Sequence, residues 1–219
     1  MSSRFIDAAN LRPDRDYWVL VSFTVAIVSV VLAYTWVIDP IAPAWVAGVA
    51  AMLVVGLAIW RALKAGEWGL EPAAFLPALG WSAAITGAVA LAMYLAGSRL
   101  GTWKERRDLW STLAVLIPWA LGQQFALQTV LLRESQATVS RSAGIWLAAG
   151  LFASLHLPNP FLTAATLIGA LVWCRVYDRY PNLLPLALSH AIVTLVILFA
   201  FDDAITGGLR VGYAYITRH

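Results

Sequence analysis

The strongest constraint on this chain is an apolar run near its start, "YWVLVSFTVAIVSVVLAYTWV" (Tyr17 to Val37), which holds no charged residue. About 20 such residues reach across a bilayer core of roughly 30 Å. In hydrocarbon the backbone must pair its own N–H and C=O groups, so a run of this kind is helical. The pattern recurs along the chain. Seven apolar segments can be read: Tyr17–Val37, Ile41–Trp60, Ala74–Ala96, Trp110–Leu132, a shorter Ala143–Leu157, Phe161–Tyr177 and Leu183–Phe201. The expected fold is an all-α polytopic membrane helical bundle with about seven transmembrane helices, forming one integral membrane domain over residues 1–219.

Composition agrees. Charged residues make up 12% of the chain and hydrophobic ones 61%, at a mean hydropathy of +0.75. Soluble domains carry about 25% charged residues. Eight of the eleven tryptophans (Trp18, Trp36, Trp45, Trp60, Trp68, Trp81, Trp103 and Trp110) fall near segment ends, as in an interfacial aromatic belt. The pI near 9.2 comes from three net charges and reads as loop charge facing anionic lipid, with no nucleic-acid footprint. The first run is longer than a signal-peptide core, and acidic Asp7, Asp14 and Asp16 precede it, so it is expected to stay in place. The ending "YITRH" offers no lipidation motif. A single cysteine, Cys174, leaves no internal disulfide and reads as a small buried apolar residue. With seven crossings, nine Lys and Arg residues collect on the N-terminal side and six on the other, which favours a cytoplasmic N-terminus. The expected location is multi-pass in a plasma membrane, or the inner membrane of a bacterium.

Side chains capable of chemistry are few and clustered. Gln123, Gln124 and Gln128 sit inside the fourth segment, and the chain holds only one other glutamine, Gln136. His156 and His190 lie within apolar segments, while the Asp and Glu residues fall in loops or at segment ends. Polar groups at membrane depth are costly unless they face a partner or a wet cavity, so they are functional candidates by default. Gln124 and Gln128 share a helix face, as do Phe152 and His156, and His190 and Thr194. The economical arrangement turns these stripes toward one chamber. The bland alternative is that the polar groups merely join packed helices, at about 0.6 kcal/mol per contact. Trp119, Trp146 and Trp173 read as packing residues. Two histidines without a carboxylate or thiolate fall short of the three ligands of catalytic zinc, so no metal or other cofactor is expected.

On these residues the chain resembles the CAAX-protease and bacteriocin-processing family (CPBP, or ABI), membrane proteases that include the type II CAAX prenyl endopeptidases. That family carries Glu-Glu followed four residues later by Arg, then Phe-x-x-x-His and His-x-x-x-Asn. Here "QQFALQ" stands at the first motif, "FASLH" at the second and "HAIVT" at the third. A CAAX-protease-like core is expected over residues 110–201. The resemblance implies Gln123 at the base position with His156 as its partner, and His190 with Thr194 at the oxyanion position. Gln124 and Gln128 stand where the second glutamate and the arginine would be. A carboxamide keeps the shape of a carboxylate but takes no proton near neutral pH. Losing a general base costs 10²–10⁴ in rate, or roughly 3–5 kcal/mol of barrier. Glu134 lies about 15 Å along a helix from Gln124, too far to replace it, and Asp202 and Asp203 are equally remote from His190.

Three readings follow. The chain is an intramembrane endopeptidase working through its histidines, with altered or impaired activity. Or it is a non-catalytic relative holding a prenyl group, a hydrophobic peptide or a partner membrane protein, as an assembly or immunity factor. Or its polar groups are structural.

Overall fold

A computed structural model describes residues 15–43, 45–104 and 108–217, with side chains from residue 21 onward. Arg4, Arg12, Arg106, Arg107, Arg218, Asp7, Asp14 and Glu105, which enter the charge readings above, lie outside the described residues. α1 (Arg15–Ala33) ends in a π-helical turn, Tyr34–Ile38, and α2 is Trp45–Ala65. A short turn, Pro72–Ala74, leads into α3 (Phe75–Leu100). α4 (Leu109–Phe125) passes through a π-helical stretch, Ala126–Leu132, directly into α5 (Arg133–Thr138). α6 (Arg141–Ser154), α7 (Pro160–Arg179) and α8 (Leu183–Ala200) follow, then short α9 (Asp203–Thr206) and α10 (Gly212–Ile216).

The chain is an all-α, multi-pass integral membrane protein. Among the described residues, six helical spans are long and apolar enough to cross a membrane: Val21–Ile38, Trp45–Ala65, Pro72–Leu100, Leu109–Thr138, Pro160–Arg179 and Leu183–Ala200. Large apolar side chains such as Val25, Met52, Leu76 and Val115 stand exposed along these helices, as a lipid-facing surface requires. The remaining apolar segment is α6. Its 14 residues rise about 21 Å, short of a bilayer core.

Local sequence sets the boundaries. Ser140, Asn159 and Asn182 cap α6, α7 and α8, each accepting a backbone N–H of the first turn. Pro160 follows its cap at the position where a missing N–H costs nothing. Gly101, at φ +69°, ends α3 in the left-handed conformation that favours glycine. Two helices run further than apolarity suggests. α5 continues past Leu132, so Glu134 lies in a helix and is buried rather than in a loop. It accepts the Thr24 backbone N–H at 2.9 Å, facing α1. Likewise α2 carries Arg61 inside its last turns, where it is buried.

The helix ends meet in two groups. At one end, Glu67 binds Arg133 at 2.6 Å and Arg61 at 3.2 Å, and Arg141 binds Asp178 at 2.8 Å. Leu183 N donates to Gly69 O, bringing α8 to the α2–α3 loop at the same end. At the other end, Thr102 Oγ1 donates to Ala200 O at 2.6 Å and Lys104 N to Phe199 O, satisfying orphan carbonyls of α8. There too the C-terminal segment folds over the turn after α6. Gly212 N donates to Leu157 O, and Asn159 Nδ2 donates to Thr206 O and Arg210 O. Gly207, Gly208 and Leu209 are consecutively left-handed, with φ between 54° and 62°. α6 therefore leaves one end at Arg141 and delivers the chain to the other at Leu157.

The packed core lies toward the first end. The π-helical stretch is its axis, with all seven of its residues buried against α6, α7 and α2. α3 and α4 both pack along α8, and α1 and α2 pair with each other.

The ionic cluster generates a prediction. Glu67 serves two guanidiniums whose side chains are 5% and 18% exposed. Glu67→Gln removes the charge both depend on, and should lower stability by about 1–3 kcal/mol. Thermal scans in detergent against Lys64→Gln, at an exposed position, check this; equal midpoints would contradict it.

Candidate functional site

Toward the second end the helices separate around a cavity of about 1000 Å³. Its walls come from spaced positions on each helix: Ile27, Val30, Val31 and Tyr34 on α1 and its π turn, and Ala47, Ala50, Ala51 and Val54 on α2. On α7 the lining face is Phe161, Ala165, Ile168, Gly169 and Val172. Many of these residues are small, and that is why a space remains. Among the described residues lining it, none is Asp, Glu, Lys or Arg.

Four of the sequence candidates line this cavity: Gln123, His156, His190 and Thr194. Gln124 and Gln128 do not. Both are fully buried behind it. Gln128 Nε2 donates to Gln124 Oε1 at 2.9 Å, and Gln124 Nε2 meets His190 Nδ1 at 3.3 Å. The single chamber expected for all three glutamines is thus divided into one cavity-lining carboxamide and a buried pair supporting a histidine. The physical reason is helical: Gln123 is one residue, about 100°, round from Gln124, so the two cannot face the same way.

These contacts define the tautomers. Gln124 Oε1 is occupied as an acceptor, so its amide N–H₂ points at His190 Nδ1, which accepts. The His190 proton then sits on Nε2. His156 differs. Its Nδ1 lies 2.8 Å from Phe152 O, and a carbonyl only accepts, so Nδ1 carries the proton and Nε2 the lone pair. His156 and His190 both line the cavity. The cavity is therefore served by one imidazole donor and one imidazole acceptor. The side chains of Gln123 and Thr194 make no hydrogen bond among the described residues, and Gln128 Oε1 is buried without a partner.

Aromatic side chains hold the rings. Phe152 lies 5.0 Å from His156 between centroids, and Trp173 lies 4.5 Å from His190. Trp173 Nε1 donates to Ser189 Oγ at 3.1 Å, and Ser189 shares a 2.7 Å hydrogen bond with Thr86 on α3. Trp173 is packing, as expected, but it packs on the candidate site. Trp119 also lines the cavity, though half exposed, while Trp146 faces outward beneath Arg175. Sequence reasoning missed Ser189 and Thr86. The only signal was that Ser189 precedes His190. Cys174 is buried.

Glu134 faces Thr24 and does not line the cavity. Asp202 caps α9 by accepting Ile205 N, and neither it nor Asp203 lines the cavity. Among the described residues no three His, Cys, Asp or Glu side chains come together.

Comparison with curated proteins and with solved structures gives no match. A family model does match, that of the type II CAAX prenyl endopeptidase Rce1-like proteins, over residues 105–196. This region spans α4 to α8 and contains both histidines and every cavity-facing candidate. Over these residues the chain is similar to the CAAX-protease family of membrane proteins.

Proposed function

We propose that this protein binds an apolar chain or a prenylated, hydrophobic peptide inside the membrane, and that glutamate-dependent hydrolysis has been lost. One observation carries the reading: a cavity of about 1000 Å³ that is uncharged throughout its described lining and offers a carboxamide, Gln123, at the base position implied by the family resemblance. The volume is at the upper end for ligand sites, and apolar walls with a few placed polar groups are their usual form. A carboxamide cannot take the proton of an attacking water, and no carboxylate among the described residues lines the cavity.

A second reading rests on His156. Its Nδ1–H is held by Phe152 O, which leaves Nε2 free to act as a base beside Gln123. The purified protein in detergent, assayed with a prenylated CAAX peptide, separates the two. On the binding reading the wild type holds the peptide but does not cleave it, and Gln123→Glu brings turnover up by 10²-fold or more. Wild-type cleavage abolished by His156→Ala would instead establish the histidine mechanism and overturn the first reading.

Volume gives an independent check. Gly169 lines the cavity, and a side chain added there meets the Trp173 ring. Gly169→Leu should fill part of the space and weaken peptide binding by roughly tenfold or more, measured by titration in detergent. Unchanged affinity would place the ligand elsewhere.

A further inference from the structure

We infer that the polar end of the cavity is built for an uncharged hydroxyl, so that its preferred ligand is a long-chain alcohol rather than the corresponding acid, phosphate or amine. This rests on the proposed binding role and adds the chemistry of the head group. A hydroxyl donates one hydrogen bond and accepts others. His190 presents an Nε2–H because Gln124 donates to its Nδ1, and His156 presents an Nε2 lone pair because its Nδ1–H is given to Phe152 O. A hydroxyl matches this pair, since it can accept from His190 and donate to His156. An aldehyde or ester oxygen only accepts, and leaves His156 unpaired at a cost like that of any desolvated polar group.

Charge is disfavoured more strongly. Among the described lining residues no cation faces a carboxylate or phosphate, and no anion faces an ammonium. A charge buried without a counter-charge is penalised far more than a neutral polar group. Gln123 and Thr194, which line the same cavity without partners of their own, add neutral donors and acceptors only. The arrangement also gives the buried glutamine pair a purpose. A glutamate at position 124 would accept from His190 Nδ1–H and so reverse the tautomer, turning the donor that faces the cavity into an acceptor.

The test uses the full chain in lipid nanodiscs and four probes sharing one hydrocarbon tail: farnesol, farnesal, farnesoic acid and farnesylamine. Farnesol should bind roughly tenfold or more tightly than the acid and the amine at neutral pH, with farnesal between. Equal affinities, or preference for a charged head group, would overturn the inference while leaving chain binding intact. Failure of all four to bind would overturn both the inference and the binding role beneath it. His156→Phe should abolish the preference for farnesol over farnesal; a preference kept at its wild-type size would count against the assignment. Nitrogen-15 spectra of histidine-labelled protein provide a check that needs no variant. The expected pattern is protonated Nε2 at His190 and protonated Nδ1 at His156, and the reverse pair would overturn the inference.

Discussion

A carboxamide donates and accepts at the same time, which no carboxylate does, and the arrangement around the cavity depends on that difference. Gln124 receives a hydrogen bond from Gln128 and passes one to His190, so a fully buried pair of side chains settles where an imidazole keeps its proton. An ionised glutamate in the same place would need a buried counter-charge. The nearest arginines are spent elsewhere: Arg133 and Arg61 on Glu67, Arg141 on Asp178. Neutral chemistry at the centre and ion pairing at one end are thus complementary parts of one arrangement.

The same separation organises the packing. Toward the ionic end the π-helical stretch is buried throughout, Leu127, Val130, Leu131 and Leu132 included. Toward the other end alanines and glycines face inward and the helices leave a void. In lipid no hydrophobic driving force pulls helices together, so close approach relies on packing and hydrogen bonds. The large side chains of the first half and the Thr86–Ser189–Trp173 link supply these, and the void persists beside them.

Much of the fold was legible from the chain, because apolar length and capping residues act locally. Asn159 in "PNP" and Asn182 in "YPN" are residues of that kind, each capping the helix that follows. The candidate residues also stood out, since glutamine and histidine are rare in apolar surroundings. Their division was not legible: Gln123 faces the cavity and Gln124 faces the core, and only the neighbouring helices decide which. Glu134 and Arg61 looked like loop residues because charge signals a boundary, yet both lie inside helices, Glu134 meeting Thr24 of α1 and Arg61 meeting Glu67 six residues on. The cavity itself has no signature, since an alanine facing a void and one facing lipid are the same letter.

Asn159 has two tasks at once. Its Oδ1 starts α7 by accepting Leu162 N, and its Nδ2 grips the carbonyls of Thr206 and Arg210 in the C-terminal segment. That segment contributes Leu209 and Val211 to the cavity wall, three residues of left-handed backbone having swung them inward. Peeling the tail away would tug on the same amide that steadies the turn next to His156. One wall of the cavity and the turn that follows His156 are thus tethered through a single amide.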